Sequence, residues 1–246
     1  MSQAPWDNPM QSAETATNVL LMLLCYVYIL FMILISSKMT KLWHVSPKAS
    51  RKFLHAMIGN LPFIIPFFTA SIYPVLVAAP FILVTFIASP ASPFKNISAK
   101  LKGLANLTEE GHHLGLVFYA ISYTILALFF GSRPYVIAAG ILPMAYGDST
   151  ASLIGERHGK TKYKLCVNKT LEGSLTMFLI SFASLTFSLV FFSSFYPFAA
   201  ADWIVPTLAV ALVTTLAEAL SPSGSDNLTV PAFGALVFLA LTGGAQ

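Results

Sequence analysis

Residues 19–35 read VLLMLLCYVYILFMILI, an unbroken apolar stretch that decides the class of fold to which this chain belongs. A helix crosses the hydrocarbon core of a bilayer with about 17–25 apolar residues, at about 1.5 Å of rise per residue. The stretch reaches that length without a charged residue. In the whole chain 56% of the residues are hydrophobic and 10% charged, whereas soluble domains carry about 25% charged residues. The sequence therefore predicts a membrane protein.

Further apolar runs recur along the chain, and several reach the length of a membrane span once their flanks are included. Because a spanning segment must satisfy its own backbone hydrogen bonds in lipid, each run is predicted to be a helix. We expect an all-α, polytopic transmembrane bundle of about eight spans, with seven to nine as the range. Residues 1–246 are predicted to form a single domain, with residues 1–18 as a short non-cytoplasmic tail. The runs are Val19–Ile35, Phe53–Phe68, Tyr73–Ala88, Leu114–Phe130, Pro134–Ala145, Leu175–Phe195, Ile204–Leu220 and Val230–Leu241.

The basic residues lie in alternate loops, and this pattern predicts the orientation of the chain. Loops rich in Lys and Arg remain in the cytoplasm by the positive-inside rule. The loops after the first, third and fifth runs hold every Lys and Arg except Arg133. These loops are therefore predicted to be cytoplasmic, with both termini outside. The residues concerned are Lys38, Lys41, Lys48, Arg51, Lys52, Lys95, Lys100, Lys102, Arg157, Lys160, Lys162, Lys164 and Lys169.

Most acidic residues are predicted at the same face, and only Asp7, Glu14 and Asp202 are predicted outside. The positive-inside rule says little about Asp and Glu, so their position calls for another cause. A polar site at the cytoplasmic face is the simplest one. The acids of this face are Glu109, Glu110, Asp148, Glu156, Glu172, Glu218 and Asp226.

The segment GDSTASLIGERHGKTKY, residues 147–163, places one of these acids at the end of an apolar run. At helical spacing Asp148 shares a face with Ala151, Ser152 and Gly155. An ionisable residue at this depth is a functional candidate. Mg²⁺ suits it, since this cation usually takes one or two carboxylates together with substrate phosphates. The alternative is that Asp148 only caps a helix end or pairs with a Lys.

Glycines and bases follow, as a phosphate-binding loop requires. Gly155 and Gly159 let the backbone come close to an anion, and Thr170 is predicted to cap the next helix, whose N-terminus also favours phosphate. No GxxxxGK[ST] string of a P-loop occurs in the chain. Taken alone, the bases of this loop could also serve topology or bind acidic lipid head groups. They are Arg157, Lys160, Lys162, Lys164 and Lys169.

Two acids near the end of the chain differ in how easily structure alone explains them. Glu218 lies on an otherwise apolar helix, where a carboxylate costs a few kcal/mol unless it faces a partner or a wet cavity. Asp226 or Asn227 is adequately explained as the N-cap of the last helix, with Pro231 in its first turn.

The first basic loop enters the second run through Arg51, Lys52 and His55. Arg51 and His55 are one turn apart, so we predict that they face the same pocket. Snorkelling of bases at the membrane boundary explains Lys52 well but His55 less well. His112 and His113, which follow two glutamates, hint at a metal, although a solvated interfacial cluster explains them better.

Five segments together resemble the CTP-dependent polyprenol kinases, a family with dolichol kinases, phytol kinases and the CTP-using diacylglycerol kinases of fungi. The matches run in the family's order from Arg51 to Pro231, which is most of the chain. The chain lacks the extra N-terminal spans of dolichol kinases and is compact like phytol kinases. The segments are RKFLH, EEGHHLGLVFY, GDSTASLIGERHGKTKY, NKTLEGSLTMF and EALSPSGSDNLTVP.

The resemblance implies a membrane kinase that transfers the γ-phosphate of CTP to the hydroxyl of a lipid alcohol, with Mg²⁺ as cofactor. An isoprenoid alcohol (a polyprenol or dolichol, phytol or geranylgeraniol) is the expected acceptor, and diacylglycerol is the second choice. The metal candidates are Asp148 and Asp226. The nucleotide-binding candidates are Arg51, Lys52, Gly147, Gly155, Gly159, Lys160, Lys162, Lys169, Thr170, Glu172, Gly173 and Asn227.

Catalytic roles are assigned within the same set of matched positions. Lys169 and Arg51 are the expected clamps on the phosphates, and Asp148 is the expected metal ligand at the reacting group. Glu218 or His55 is expected to accept the proton of the lipid hydroxyl.

Two other functions compete with the kinase. A CTP:phosphatidate cytidylyltransferase usually carries two late aspartates a few residues apart, whereas Asp226 stands alone here. A transporter of an anionic solute should show inverted repeats and polar residues at mid-membrane, and the chain shows neither. The expected partners are CTP, the lipid alcohol and the bilayer, without nucleic acid. The expected location is a prokaryotic plasma membrane or the endoplasmic reticulum, with the active face in the cytoplasm.

Overall fold

The structure of the protein is a computed structural model, which describes residues 9–94, 96, 114–222 and 224–243. Helices account for most of these residues. In chain order the elements are α1 (Pro9–Leu42), α2 (Pro47–Ile58), a 3-10 helix (Leu61–Phe67), α3 (Ile72–Ala88), α4 (Gly115–Phe130), α5 (Pro134–Leu142), a π turn (Pro143–Asp148), α6 (Ser149–His158), β1 (Lys162–Lys164), β2 (Asn168–Thr170), α7 (Leu171–Phe192), a second 3-10 helix (Ala200–Trp203), α8 (Ile204–Leu220) and α9 (Asp226–Thr242).

Some helices are apolar enough to cross a membrane, which agrees with the predicted all-α membrane fold. Among the described residues, three helical stretches also have the length of a span, while others of similar composition are shorter. The number of spans and the side that each end faces stay predictions. The long stretches are Ser12–Thr40, Leu171–Phe192 and Ala200–Leu220, and the shorter ones are Ile72–Ala88, Gly115–Phe130 and Asp226–Thr242.

The first helix is longer than the apolar run that predicts it. It begins at Pro9, so residues 9–18 are helical and continue the first predicted span. These residues were predicted to belong to the N-terminal tail, because Glu14 and the polar residues around it interrupt the apolar pattern.

Helix α5 forms the centre of the bundle. Every residue from Pro134 to Leu142 is buried, and the helix contacts α4, α7, α9 and the first 3-10 helix. A helix that is apolar all round belongs in such an interior. Small residues bring α9 close to it, because a Cβ on Gly140 would lie 2.7 Å from the carbonyl oxygen of Pro231. The most enclosed helix of the fold is thus the one that leads to Asp148.

The second apolar run is not one continuous α-helix, as residues 53–68 were predicted to be. Helix α2 ends at Ile58, and a 3-10 helix that contains Pro62 and Pro66 follows it. Pro removes a backbone donor and clashes with the preceding turn. The break at Gly59 is also a close approach, since a Cβ there would collide with Ala145 of the π turn.

A two-stranded antiparallel hairpin adds a feature that the all-α prediction lacks. Strand β1 pairs with β2 so that Lys162 lies opposite Thr170 and Lys164 opposite Asn168. The hairpin joins α6 to α7, and the Leu171 amide extends it by donating to the Thr161 carbonyl over 3.0 Å. It therefore fixes the start of α7 beside the end of α6.

Candidate active site

A cleft of about 470 Å³ opens at the end of the bundle where α2, α6, β2, α7, α8 and α9 meet. Residues that are far apart in the sequence come together here, as the predicted common polar face requires. The side of the membrane that this end faces stays a prediction. Four basic and four acidic side chains line the cleft, and they are Lys48, Arg51, Lys52, Lys169, Asp148, Glu156, Glu218 and Asp226.

Asp148 lies on the inner wall of the cleft and is almost fully buried, with 4% of its surface exposed. It ends the π turn, a widened turn of the kind that often occurs at functional sites. Ala151, Ser152 and Gly155 line the cleft with it, so the predicted shared face is confirmed. Its side chain caps no helix. Instead, one of its carboxylate oxygens accepts a hydrogen bond from the ammonium group of Lys52. The Lys pair is therefore present, and the role of Asp148 as a metal ligand stays a prediction.

Lys169 and Glu218 form a second ion pair, between β2 and α8. Glu218 is 4% exposed, and the partner that a carboxylate on an apolar helix needs is Lys169. Burial alone would lower the pKa of Lys169, but the Glu218 carboxylate outweighs it, and Asp148 and Asp226 act in the same direction. The pKa of Lys169 therefore lies above its ordinary value of 10.5, so the side chain is a charged ammonium group at neutral pH.

A small polar cavity adjoins the cleft, and Arg51, Lys52 and Asp226 line both of them. His55 lines only the small cavity. The prediction that Arg51 and His55 share a pocket is therefore confirmed. His55 is buried, and its ring packs against Tyr119 with ring centroids 4.9 Å apart. It thus lies behind the cleft, beside Asp226.

Asp226 and Asn227 do not cap α9 in the predicted way. The cap position is Ser225, and no side chain accepts a capping hydrogen bond there. Pro231 lies inside the helix, one turn later than predicted. Asn227 instead donates to the Gly115 carbonyl over 3.2 Å and ties α9 to α4, while Asp226 lines the cleft. Their position is therefore better explained by the site than by helix capping.

Thr170 caps α7, as predicted: its hydroxyl oxygen accepts a hydrogen bond from the Gly173 amide over 3.1 Å. Gly155 and Gly173 let α6 and α7 meet at this cap, since a Cβ on either glycine would lie within 3 Å of Thr170 Oγ1. Thr170 and both glycines line the cleft. The positive end of the α7 dipole thus faces the space where an anion would bind.

Several predicted site residues lie outside the cleft lining. Lys160 and Lys162 are exposed on and before β1, and their role with a nucleotide stays a prediction. Gly159 packs on Thr170, and Gly147 packs against α7, where a Cβ would collide with Ser181.

Glu172 supports the hairpin rather than lining the cleft. The Thr161 amide donates to its two carboxylate oxygens over 3.2 and 3.3 Å. Its position therefore accounts for the shape of the loop between α6 and α7.

One pair of cleft residues was not singled out from the sequence. Lys48 and Glu156 face each other across the mouth, with Nζ and Oε2 3.0 Å apart. Lys48 lies about one turn before Arg51 and Lys52 on α2, and this helical spacing was the available signal.

Part of the predicted inner face lies outside the described residues. This applies to the candidate histidines and to the whole EEGHH part of one matched segment. The residues are Lys95, Lys100, Lys102, Glu109, Glu110, His112 and His113.

Comparison with curated proteins relates the chain to three kinds of lipid kinase. It is 39% identical to a protein named phytol kinase from Synechocystis sp. over 145 residues, which are 57% of this chain and 60% of that protein. It is 30% identical to the dolichol kinase of Saccharomyces cerevisiae over 198 residues, 77% of this chain and 36% of that protein. It is 28% identical to CTP-dependent diacylglycerol kinase 1 of Schizosaccharomyces pombe over 151 residues, 58% of this chain and 68% of that protein.

Relatives named phytol kinase, dolichol kinase and CTP-dependent diacylglycerol kinase support the resemblance of this chain to the CTP-dependent polyprenol kinase family. The resemblance noted in the sequence is thereby confirmed. No family model and no solved structure matches the chain. The match spans 60% of the length of the Synechocystis relative and 36% of the length of the yeast dolichol kinase.

The donor groups of the cleft fit the chemistry of a magnesium–nucleotide complex. The described residues contain no group of three or more His, Cys, Asp or Glu side chains arranged as a metal site. Mg²⁺ does not require one, because it usually combines one or two carboxylates with water and substrate phosphates. Asp148 and Asp226 line the same cleft, and Lys52 pairs with only one oxygen of Asp148. These two acids are the candidate ligands.

Proposed function

We propose that this protein is an integral membrane lipid kinase that transfers the γ-phosphate of CTP to the hydroxyl group of an isoprenoid alcohol, with Mg²⁺ bound beside the phosphates. The observation that carries the proposal is the pairing of opposite charges around one cleft. Acids that would hold a cation and bases that would hold phosphates line it together, next to the capped N-terminus of α7.

The bases of the cleft would bind and orient the nucleotide phosphates. Phosphoryl transfer depends mainly on positioning and on neutralising charge. Lys169 and Arg51 line the cleft from β2 and α2, next to the N-terminus of α7. Lys52 would keep the Asp148 carboxylate ionised and fixed in place.

Mg²⁺ held by Asp148 and Asp226 would neutralise charge on the phosphates. In the reaction the hydroxyl oxygen of the alcohol forms a bond to the γ-phosphorus. The bond from that phosphorus to the β–γ bridging oxygen breaks, and CDP leaves. The hydroxyl proton passes to Glu218 or to His55, the two candidate bases beside the cleft.

An isoprenoid alcohol is the first choice of acceptor, and diacylglycerol is the second. Relatives named phytol kinase and dolichol kinase support the first choice. The relative named CTP-dependent diacylglycerol kinase supports the second. The apolar helices around the cleft end fit any of these lipids, since each keeps its chain in the bilayer.

The proposed topology places the cleft at the cytoplasmic face of a multi-pass protein with about eight spans. The bases of α2 and β2 lie on the cleft, and both belong to loops that the positive-inside rule assigns to the cytoplasm. CTP would therefore enter from the cytoplasm.

A substrate panel tests the proposal directly. Purified protein in lipid nanodiscs would receive Mg²⁺, γ-labelled CTP and one lipid at a time: phytol, geranylgeraniol, a long polyprenol, diacylglycerol or phosphatidate. We expect label on an isoprenoid alcohol and none after chelation of the metal. Preferred labelling of diacylglycerol would change the acceptor, and no labelled lipid in any reaction would contradict the kinase.

A further inference from the structure

An apolar cavity is lined by residues of α1, α2, the first 3-10 helix, α3 and α4. Its volume is about 50 Å³, and its walls are aliphatic and aromatic apart from the hydroxyl groups of Thr85, Tyr119 and Tyr123. No residue of it lines the main cleft. One of its residues, Tyr119, contacts His55 of the small polar cavity beside Asp226.

The cleft and the small polar cavity share Arg51, Lys52 and Asp226. The small polar cavity and the apolar cavity share no residue, but they are lined by neighbouring residues on two helices. On α2, His55 lines the first and Leu54 the second, and on α4, Gly115 lines the first and Leu116 the second.

Tyr119 marks the boundary between the polar and the apolar cavity. Its ring lines the apolar cavity and packs against the ring of His55. Its hydroxyl donates to the His55 carbonyl over 3.2 Å. A molecule that passes this boundary would therefore leave its polar end beside His55 and Asp226 and place its apolar part next to Leu116.

From this arrangement we propose that the apolar cavity binds the first few carbon atoms of the acceptor alcohol, with the hydroxyl in the small polar cavity. The inference rests on the proposed function and adds to it the location of the acceptor. About 50 Å³ holds only a few carbon atoms, given that one water occupies about 30 Å³ of liquid. The rest of the chain lies in the bilayer, so the cavity selects for a single narrow chain at the hydroxyl end.

A second apolar groove provides an internal comparison. It lies between α7 and the central helix, has a volume of about 200 Å³ and is lined by Phe63, Ile180, Ala183 and Phe187 among others. It is larger, but none of its residues is next in sequence to a residue of the small polar cavity, whereas Leu54 and Leu116 of the apolar cavity are.

Photolabelling locates the acceptor without requiring turnover. A geranylgeraniol analogue with a diazirine on its first isoprene unit would be added to the full-length protein in nanodiscs, and labelled peptides would be mapped by mass spectrometry. We expect label on α2 and α4 around Leu54, Leu116 and Tyr119, and we expect excess geranylgeraniol to remove it. Label in the second groove, or label that geranylgeraniol does not remove, would overturn the proposal.

Variants that fill the cavity test the same point by a second route. Ala78→Leu on α3 and Ala120→Leu on α4 each add atoms to its wall, and Ala183→Leu makes the same change in the second groove. We expect each of the first two to reduce competed labelling and to raise the KM for the alcohol by about tenfold, since an occupied site tolerates extra atoms poorly. Binding of CTP and the melting temperature should stay within about twofold and a few degrees of the wild type, and Ala183→Leu should behave as the wild type.

The outcomes separate this inference from the proposed function. Labelling in the cavity without phosphate transfer to any lipid would leave the acceptor site standing and remove the kinase. Phosphate transfer with labelling elsewhere, or with both filling variants unaffected, would leave the kinase standing and remove the acceptor site.

Discussion

At the scale of single residues, Lys52 and Asp148 form a pair with less than a tenth of either side chain exposed. Removing one partner of a buried pair leaves an uncompensated charge and destabilises a protein by about 3–5 kcal/mol. By contrast, about a third of Lys48 and more than half of Glu156 is exposed in their pair, and such pairs contribute about 0–1 kcal/mol. The two lysines, on the same helix, are therefore a matched comparison.

We predict that Lys52→Met lowers the melting temperature by several degrees, whereas Lys48→Met changes it little. The double variant Lys52→Met with Asp148→Asn should recover most of the lost stability, because neither charge is then buried alone. It should not recover phosphate transfer. Thermal unfolding in detergent measures the first effect and the kinase assay the second. Equal destabilisation by Lys52→Met and Lys48→Met would contradict the burial of the pair.

Lys169 gives a pH dependence whose sign follows from the direction of its shift. Its pKa is higher in the folded protein than its ordinary value of 10.5. The stabilisation is therefore complete below that ordinary value and is lost as the pH rises through the raised value. We predict that above about pH 10.5 the melting temperature falls more steeply in the wild type than in Lys169→Arg, since Arg stays charged. Parallel curves for the two proteins would exclude this contribution.

At the scale of elements, the junction of α6 and α7 shapes the cleft. The close approach depends on Gly155 and Gly173, which both face the Thr170 hydroxyl that caps α7. A side chain at either position would displace that hydroxyl or separate the helices. Overpacking of this kind costs about 1–3 kcal/mol.

We predict that Gly155→Ala and Gly173→Ala raise the KM for CTP by about tenfold, because the start of α7 moves away from the phosphates. Thr170→Ser, which keeps the capping oxygen, should have a much smaller effect. Ser184→Thr adds a methyl group to α7 away from the junction and serves as the control. A normal KM for CTP in both glycine variants would show that the junction does not shape the nucleotide site.

The sequence predicts most of these elements because their signals are local. The apolar runs lie in helices, and the spacing of Asp148, Ala151, Ser152 and Gly155 correctly predicts one lined face. The break of the second run at Gly59 was also readable from Pro62 and Pro66, but hydropathy alone hides it. The hairpin was missed, since its three-residue strands carry Lys and Asn in place of an apolar alternation.

The partners within the site could not be predicted, because they depend on how distant segments pack. Lys52 was assigned to nucleotide binding, with snorkelling as the alternative, and neither predicts its pairing with Asp148, 96 positions later in the chain. The sequence marks Glu218 as needing a partner without identifying Lys169. These pairs depend on how α2 and α8 pack against the π turn that follows the central helix.

At the scale of the whole molecule, the orientation can be tested with a cysteine that the chain already has. Cys166 is exposed, whereas Cys25 is buried, and Cys166 lies between the two strands at the cleft end. We predict that a membrane-impermeant maleimide labels Cys166 in inside-out vesicles and not in intact cells. Cys166→Ser with Ser194→Cys, a position at the far end of α7, should reverse the pattern. Labelling of Cys166 from outside would place the cleft on the other side of the membrane.

The measurement that tests the central claim most directly follows the two ends of the CTP triphosphate separately. Parallel reactions would contain CTP labelled at the α- or the γ-phosphate, Mg²⁺ and the preferred alcohol, with wild-type protein and Asp148→Asn. We predict that only the γ-label enters the lipid, that the α-label remains in CDP, and that Asp148→Asn abolishes transfer even below its own melting temperature, which the loss of the partner of Lys52 lowers. Transfer of the α-label to lipid with release of pyrophosphate, or undiminished transfer by Asp148→Asn, would contradict the account.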